Sequence, residues 1–392
     1  MSTRPILYSS EDGSTFLIDI PSSIQHGQCS SFSPRSRPPL QSPYPNTEPK
    51  GSKRVAALNA VPVHEQKYHA SIQEQISSAL NEIDEHVSND GLSWYRHRES
   101  MSTPPDREYP GQATLSLAEP TCLIAVGTDP IVPIILSSTE QRSKFASLDA
   151  LRRVVVHNPG DDASVVETID NGDYLIPPRS TFIYSTLQLG QQAWSDWQHL
   201  ASSNYRFDLI LMDPPWTNRS VRHAGHYRTA EDQSSDPFEQ AIQIVETSLS
   251  PQGLVAIWIT NKASIRANVV QTFGSMGFYL VEEWIWIKVT THGQPVTPLD
   301  GLWRRPYEIL LLFQKRQAGV DVKTRRRIIA AVPDLHSRKP CLKVLLEELL
   351  PRQPQVLELF ARNLTAGWYS WGDEVLKFQH EMHWIRSKEC KT

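Results

Sequence analysis

Asp213, Pro214, Pro215 and Trp216 follow an apolar run, residues 207–212, near the middle of the chain. A short apolar run that ends abruptly in proline predicts a buried strand that opens into a loop. In open α/β sheets, ligands bind beyond the carboxyl ends of the strands. There a carboxylate can accept a hydrogen bond from an exocyclic amine, an indole can stack on a planar base, and the prolines can hold both in place. Alternatively, these residues form a proline turn, with Asp213 capping a helix and Trp216 packing in the core.

Methyl transfer to an aromatic amine is the chemistry that suits this arrangement. The exocyclic nitrogen of adenine is a poor nucleophile because its lone pair is delocalised into the ring. Two acceptors, the Asp213 carboxylate and the Pro214 carbonyl, would pull this nitrogen toward tetrahedral geometry. A methyl sulfonium donor needs no metal, so positioning and electrostatics would supply most of the rate. We therefore expect no metal site, and we interpret His223 and His226 as loop histidines.

A second loop, close to the C-terminus, has the residue types that hold a nucleoside. The apolar segment 356–360 contains Glu358 and Phe360, and Arg362 and Asn363 follow it. The acid or the amide can bond ribose hydroxyls, the aromatic ring can pack on adenine, and the guanidinium can reach hydroxyls or a carboxylate. No G-x-G-x-x-G follows any predicted strand, so a dinucleotide fold has little support.

These segments resemble the MT-A70 family of adenosine N6-methyltransferases, and its methyltransferase-like protein 4 branch most closely. The similarity covers roughly residues 155 to 385 and includes the family's Asp-Pro-Pro-Trp signature at 213–216. The resemblance implies S-adenosyl-L-methionine as cofactor, and a permuted order in which the amine-binding motif precedes the cofactor strand. The cofactor-binding positions that it implies are Ser185, Thr186, Ser337, Lys339, Glu358, Phe360, Arg362, Asn363, Asp373 and Glu374.

Two of these positions depart from the family pattern. Asp373 stands where the branch has asparagine, so it keeps an acceptor but loses a donor. Ser185 and Thr186 stand where an acidic residue is expected to meet the ammonium group of the donor. The departures predict either weakened binding of the donor or a backbone group that substitutes for the missing side chains.

The substrate side is predicted from the loop after Trp216 and from residues 284–308. A polar loop with several arginines beside a stacking indole suits a single-stranded or flipped-out nucleotide. The predicted substrate-binding residues, the later three by resemblance, are Asn218, Arg219, Arg222, Lys288, Arg305 and Glu308. The charge run 323–327 offers a phosphate-binding patch or, alternatively, a solvated face.

The function that the resemblance implies is methylation of adenosine N6 in RNA. Small nuclear RNA is the expected substrate, with a 2'-O-methylated adenosine as target. Two alternatives stay open: an adenine N6-methyltransferase of DNA, and a non-catalytic nucleic-acid-binding subunit of a methyltransferase complex. We also expect a monomer located in the nucleus, with the cytoplasm as a possible additional location.

Composition limits the class of protein. The formal charge is −4, so a nucleic-acid partner would have to be held by a local patch rather than a global basic field. The four cysteines, Cys29, Cys122, Cys341 and Cys390, form no C-x-x-C pair, which argues against a zinc module and fits a reducing compartment. No stretch is long and apolar enough to span a bilayer, and no signal peptide is evident. We expect a soluble intracellular protein.

The elements that must position these residues alternate as strands and helices from residue 154 onward. This alternation predicts an α/β fold, a doubly wound Rossmann-like methyltransferase sheet with permuted motif order, plus a smaller N-terminal region. We divide the chain into a largely disordered Ser/Pro-rich arm at 1–64, a small N-terminal domain with an amphipathic helix at 65–153, and the methyltransferase domain at 154–392. Residues 15–20 could be a lone strand or a docking peptide, and residues 94–98 could stack on single-stranded nucleic acid or pack in the core.

Overall fold

A computed structural model describes residues 4–29, 31–98, 130–169, 171–200, 206–216, 236–316 and 323–386. The strands are β1 (Ile6–Ser9), β2 (Thr15–Ile18), β3 (Phe32–Pro34), β4 (Ile134–Ile135), β5 (Arg142–Phe145), β6 (Val155–His157), β7 (Ser164–Thr168), β8 (Gly172–Ile176), β9 (Thr181–Tyr184), β10 (Phe207–Met212), β11 (Leu249–Ile259), β12 (Phe278–Lys288), β13 (Tyr307–Lys315), β14 (Arg325–Ala331), β15 (Val356–Leu359), β16 (Tyr369–Gly372) and β17 (Trp384–Arg386). The helices are α1 (Ile20–Gly27), α2 (Gly51–Asn59), α3 (Val63–Asn89), α4 (Leu187–Leu200), α5 (Pro237–Ser248), α6 (Ala263–Ser275) and α7 (Lys343–Leu346). No helix among these residues is long and apolar enough to cross a membrane.

Twelve of the described strands form one mixed sheet, in the order β1-β2-β14-β12-β13-β11-β10-β15-β16-β9-β6-β4. Its centre is parallel: β10 pairs in parallel with β11 on one side and with β15 on the other, and β15 continues in parallel to β16 and β9. The parallel pairing brings the carboxyl ends of these five strands to one edge. The predicted α/β sheet with permuted motif order is confirmed.

The sheet separates two layers of apolar packing, because alternate strand residues face opposite sides. Ile210 and Met212 of β10 belong to a cluster with residues of α3, α4, α5 and α6. Leu209 and Leu211 belong to a second cluster, with residues of α1 and α7. A strand buried on both faces needs continuous apolar sequence, which explains the run that marks β10.

The N-terminal residues differ from the expected disordered arm at 1–64. β2 pairs in parallel with β14 and joins the main sheet, and Phe16, Leu17 and Ile18 are buried there. The short apolar run has too little local signal to predict this pairing, but burial against a distant strand supplies the stability that a lone strand lacks.

The expected small domain at 65–153 also needs correction. The amphipathic helix is present as α3, Val63–Asn89. Its buried face, with Ile72, Ile76 and Ile83, packs into the same cluster as the main sheet, and β4 extends that sheet at the far edge. The apolar face of α3 is therefore part of the same core as the main sheet, because the helix covers one face of that sheet.

Two basic segments serve packing rather than nucleic-acid contact. Trp94 is buried, and the buried Arg98 donates to the carbonyls of Val332 and Pro333 at 2.7 Å. In the 323–327 run, Arg326 and Arg327 lie on β14, and each pairs with a glutamate of β12 at 2.7 Å. Neither alternative for this run, a phosphate patch or a solvated face, fits these two arginines, since acidic neighbours across the strands pair with them.

Candidate active site at the carboxyl edge of the parallel strands

The two loops predicted to carry the chemistry meet at the carboxyl edge of the sheet. Met212 at the end of β10 lies in register with Leu359 at the end of β15, and Asp213 N–H donates to the Leu359 carbonyl at 3.4 Å. Adjacent parallel strands leave the sheet at the same edge, so the Asp-Pro-Pro-Trp loop and the Glu-Leu-Phe loop face each other across one strand spacing. The predicted juxtaposition is present.

Asp213 is held between two cations. Its carboxylate lies 3.2 Å from a guanidinium nitrogen of Arg362 and 3.6 Å from Nζ of Lys339. The side chain keeps 25% of its surface exposed. Charge-assisted bonds fix the direction of the carboxylate, and the remaining exposure leaves it accessible to a ligand.

The ion pairs continue on both sides of Asp213 as a row of alternating charges. On one side Lys339 also bonds Glu308, whose other oxygen lies 2.5 Å from Lys288. Burial alone would raise the pKa of Glu308, but Lys339 and Lys288 outweigh it and lower that pKa to about 2. On the other side Arg362 bonds Glu374 at 2.9 Å. The row links predicted cofactor residues to predicted substrate residues through Asp213.

Pro214 and Trp216 are fixed by local hydrogen bonds. Trp216 N–H donates to the Pro214 carbonyl at 2.8 Å, which closes a tight turn after Asp213. The indole N–H donates to the carbonyl of Trp258 at 2.9 Å, and the ring centroid lies 5.4 Å from that of Phe238. Pro214 is buried and Pro215 is exposed. One edge of the indole is thus anchored on β11, while the side chain remains partly exposed.

Two clefts, of about 630 Å³ and 650 Å³ counting space open to solvent, share a wall made by Asp213, Phe360 and Arg362. The first cleft, called here the Lys339 cavity, is lined in addition by Ser337, Lys339, Glu358 and Asn363. The second cleft, called here the Asp373 cavity, is lined in addition by Ser185, Thr186, Pro215, Asp373 and Glu374. All ten predicted cofactor-binding residues therefore border one of two adjoining clefts.

Glu358 carries a perturbed carboxyl in the Lys339 cavity. Burial, reinforced by the charge of Asp213 and opposed by Arg362, raises its pKa to about 8. Burial also raises the pKa of the nearby Cys341 thiol to about 11. Both shifts favour the uncharged forms of these side chains, so this wall of the cavity carries less negative charge than its composition suggests.

The two positions that depart from the family pattern behave differently in the Asp373 cavity. The Thr186 hydroxyl accepts from Leu189 N–H at 3.3 Å and so caps α4. The Ser185 hydroxyl is buried and has no hydrogen-bond partner within the part of the chain that the structure describes. Burial and the neighbouring Glu374 raise the pKa of Asp373. The Asp373 carboxylate keeps the acceptor that an asparagine would supply at this position.

Close backbone packing shapes the loop that carries Phe360. Phe360 has φ +58° and Ser337 has φ +65°, in the left-handed region that non-glycine residues seldom adopt. Gly372, at the end of β16, approaches so closely that a Cβ atom there would lie 2.5 Å from the Ala361 carbonyl oxygen. The loop between the two clefts is therefore fixed by contacts that leave no space for a side chain at 372.

Comparison with known proteins agrees with this geometry. The sequence profile of the MT-A70 family matches residues 207–374. A Pyricularia oryzae protein named N6-methyladenosine RNA methyltransferase MTA1 is 30% identical over 98% of this chain and 98% of its own length. The chain belongs to the MT-A70 family.

Two further MT-A70 relatives match over part of their length. A Cryphonectria parasitica protein, also named N6-methyladenosine RNA methyltransferase MTA1, is 41% identical over 54% of this chain and 62% of its own length. The human N(6)-adenine-specific methyltransferase METTL4 is 35% identical over 64% of this chain and 52% of its own length. The predicted family, its METTL4-like branch and its class of enzyme, an adenine N6-methyltransferase, are confirmed.

The predicted substrate-binding residues are only partly brought together. Lys288 and Glu308 join the row of charges that reaches Asp213. Arg305 instead donates to the Asn261 carbonyl at 3.5 Å and has no described contact with that row. The remaining three predicted positions, Asn218, Arg219 and Arg222, lie outside the described residues.

Sequence reasoning missed Trp258 as part of this MT-A70 site. Its carbonyl anchors Trp216, and its ring lies 4.4 Å from Nζ of Lys339. The signal was available: Trp258 lies near the end of a predicted strand that follows the Asp-Pro-Pro-Trp segment, and sequential strands are often neighbours in a sheet. That rule places Trp258 beside Asp213 before any coordinates are known.

Proposed function

We propose that this MT-A70 chain transfers a methyl group from S-adenosyl-L-methionine to the N6 amine of adenosine in RNA. The observation that carries the proposal is the Asp213 carboxylate, directed by Arg362 and Lys339 and accessible at the shared wall of two clefts. One cleft can take the donor while the other side of the wall takes the base. Two fungal relatives named as RNA methyltransferases support RNA as the polymer.

The residues around the Asp373 cavity fit the nucleoside half of the donor. The buried Ser185 hydroxyl has no hydrogen-bond partner among the described residues, and the carboxylates of Asp373 and Glu374 offer acceptors for ribose hydroxyls. Phe360 adds a flat apolar surface between the clefts. When bound, S-adenosyl-L-methionine supplies a methyl group on positively charged sulfur. Ser337 and Lys339, on the Lys339 cavity, are suited to its amino-acid end.

Asp213 and Pro214 would orient the amine of the adenine. The Asp213 carboxylate accepts one N–H hydrogen, and the Pro214 carbonyl accepts the other. That carbonyl already accepts from Trp216 N–H, but a carbonyl oxygen has two lone pairs and can accept twice. The half-exposed indole of Trp216 stacks near the base, and after the new C–N bond forms the nitrogen loses its proton to water.

The finer proposal concerns the target and the setting. We propose small nuclear RNA, with a 2'-O-methylated adenosine as acceptor, and a monomeric enzyme that acts in the nucleus. The support is the resemblance to the methyltransferase-like protein 4 branch. Oligomeric state by light scattering and location by fractionation test these two expectations separately.

The deciding experiment is a nucleoside digest after incubation with labelled donor. The substrates are single-stranded oligonucleotides of matched sequence, each with one adenine: an RNA, the same RNA with a 2'-O-methyl group on the adenosine, and a DNA. After the reaction each is digested to nucleosides, which are then separated. Labelled N6-methyladenosine from RNA is expected, with the highest yield from the 2'-O-methylated target. Label appearing in DNA alone would replace RNA by DNA as the substrate.

A non-catalytic role makes a different prediction for the donor. A scaffold subunit has no need to bind S-adenosyl-L-methionine, whereas the residues of both clefts are arranged here as a donor site. Calorimetric titration with the donor is expected to show one site per chain. Failure to bind the donor, with no labelled product from either polymer, would favour the scaffold role and contradict the proposed enzyme.

A further inference from the structure

Trp303 is unusual among the tryptophans of this chain. It is 65% exposed, whereas the other ten are buried or partly buried. Solvent exposure of a whole indole places a large apolar surface in water, and such surfaces commonly mark sites of contact. Arg304, the next residue, is also exposed. An exposed aromatic ring next to an exposed cation is the combination that binds single-stranded nucleic acid.

The turn that presents Trp303 is held by the carboxylate of a distant residue. Glu48 accepts backbone N–H bonds from Leu302 at 2.6 Å, Arg304 at 2.9 Å and Trp303 at 3.1 Å. Successive N–H groups that converge on one anion form a concave binding site for it. Burial would raise the pKa of Glu48, but these N–H groups outweigh it and lower that pKa. Glu48 therefore fixes the backbone on both sides of the indole.

Other contacts make the same turn rigid. Arg54 bonds the carboxylate of Asp300 at 2.6 Å. A Cβ atom at Gly301 would lie 2.5 Å from the Arg304 carbonyl oxygen, so the turn is too tight for a side chain there. Gln73 of α3 donates to the Leu299 carbonyl at 3.0 Å. The exposed indole is thus carried by a backbone with little freedom, which lowers the entropy lost when a ligand binds.

The turn leads directly into the candidate active site. Glu308 lies five residues after Trp303 and forms an ion pair with Lys339. Lys339 in turn forms an ion pair with Asp213. Five extended residues span at most roughly 18 Å. A single strand that places an adenosine at Asp213 can therefore bring one of its neighbouring bases to Trp303.

We infer that Trp303 stacks on an unpaired base a few nucleotides from the target adenosine, with Arg304 facing the adjoining phosphate and Glu48 as the positioning residue of the turn. This inference rests on the proposed function, and it adds a second point of contact with RNA. Stacking on an aromatic side chain tolerates any base, so the contact selects single-stranded character rather than sequence.

The kinetic test compares Trp303→Ala and Trp303→Phe on a nine-nucleotide RNA and on a trimer centred on the same adenosine. Loss of one stacked base predicts a KM for the nine-nucleotide RNA roughly 5- to 100-fold higher in the alanine variant, with kcat unchanged. The phenylalanine variant is expected to restore most of the loss. On the trimer, which lacks the flanking base, the difference in KM is expected to disappear. Leu92→Ala, at another exposed apolar residue, is the control for loss of surface area.

A binding measurement keeps the inference testable without turnover. The fluorescence of Trp303 is obtained as the difference between wild type and Trp303→Phe. Acrylamide quenching of this difference signal reports the exposure of the indole. We expect the quenching to decrease when the nine-nucleotide RNA is added. Unchanged quenching, or equal KM values for wild type and Trp303→Ala, overturns the stacking contact. If the RNA still reduces quenching but the wild-type protein transfers no methyl group, the proposed function is contradicted and the stacking contact is not. A variant that instead changes the association state of the protein would assign Trp303 to a protein interface and overturn the inference.

Glu48 provides an independent test of the positioning role. Glu48→Gln keeps one acceptor oxygen for the turn, whereas Glu48→Ala leaves the backbone N–H groups of residues 302–304 without their partner. We expect Glu48→Ala to raise KM for the nine-nucleotide RNA as Trp303→Ala does, and Glu48→Gln to rescue part of it. Combining Glu48→Ala with Trp303→Ala should add nothing further. An additive double variant would mean that Glu48 acts on folding rather than through the indole.

Discussion

Replacing Glu358 with glutamine is expected to remove a pH dependence of folding stability. The carboxyl sits in the wall of the Lys339 cavity, where burial and the charge of Asp213 raise its pKa from 4.5 to about 8. Glu358→Gln keeps the shape of the side chain and the neutral charge that the folded protein favours. The variant therefore removes the titration while changing the packing little.

The sign follows from proton linkage. Below pH 4.5 Glu358 is protonated in both the folded and the unfolded chain, so it contributes no difference. As the pH rises toward 8, the unfolded chain ionises freely while the folded protein holds the proton, so the free energy of unfolding falls. A pKa difference of about 3.5 corresponds to a ceiling of roughly 5 kcal/mol. Water can enter the cavity and screen the charge, so we expect roughly 2 kcal/mol.

Urea unfolding of wild type and Glu358→Gln at pH 4, 5, 6, 7 and 8 measures this effect. The variant is expected to match wild type at the lowest pH and to exceed it by roughly 2 kcal/mol at pH 8. Glu348→Gln, at an exposed glutamate on the same segment, is the matched control. Parallel pH profiles for wild type and Glu358→Gln would show that the cavity does not perturb this carboxyl, and the description of that wall would be wrong.

Three further predictions address the site and its support. Asp213→Ala or Trp216→Ala is expected to lower methyl transfer by roughly 10²- to 10³-fold with an unchanged melting curve, and wild-type turnover in either would refute their roles. Gly372→Ala is expected to cost roughly 1–3 kcal/mol by denaturant unfolding because its Cβ meets backbone, whereas Gly274→Ala, with open space around it, is the control expected to cost nothing. Glu283→Ala leaves the paired Arg266 and Arg326 without their buried partner, so we expect a loss of roughly 3–5 kcal/mol; a loss below 1 kcal/mol would contradict the importance of the cluster.

The sequence was sufficient to predict a structural element where the pattern of apolar residues within one segment determines that element. The apolar run before Asp213 defines β10 to the residue, because a strand buried on both faces must be apolar at most positions; its one charged residue, Asp208, is partly exposed near the start of the strand. The order of the two chemical motifs then placed their loops together. The departures at Thr186 and Asp373 needed coordinates, since a helix cap and a raised pKa depend on neighbours that are distant in sequence.

Charge was the least informative signal in this chain. The 323–327 run has the composition of a solvated or phosphate-binding surface. Yet Arg327 is only 5% exposed and forms an ion pair with Glu282. Glu48 stands in a Ser/Pro-rich segment that predicts disorder, yet its carboxylate organises a turn more than 200 residues away. Buried ion pairs and carboxylate–backbone contacts cannot be predicted from one sequence, because the partner is chosen by the fold.

The pairing of β2 with β14 has a consequence for biosynthesis. Thr15 leaves the ribosome early, but its partner Ile328 is made near the end of translation. At roughly 5–20 residues per second, the interval between them is about 15 to 60 seconds. Throughout that time Phe16, Leu17 and Ile18 lack the strand that buries them, so they are available to chaperones and to premature association. β2 is thus one of the first strands to be translated and among the last to find its place in the sheet.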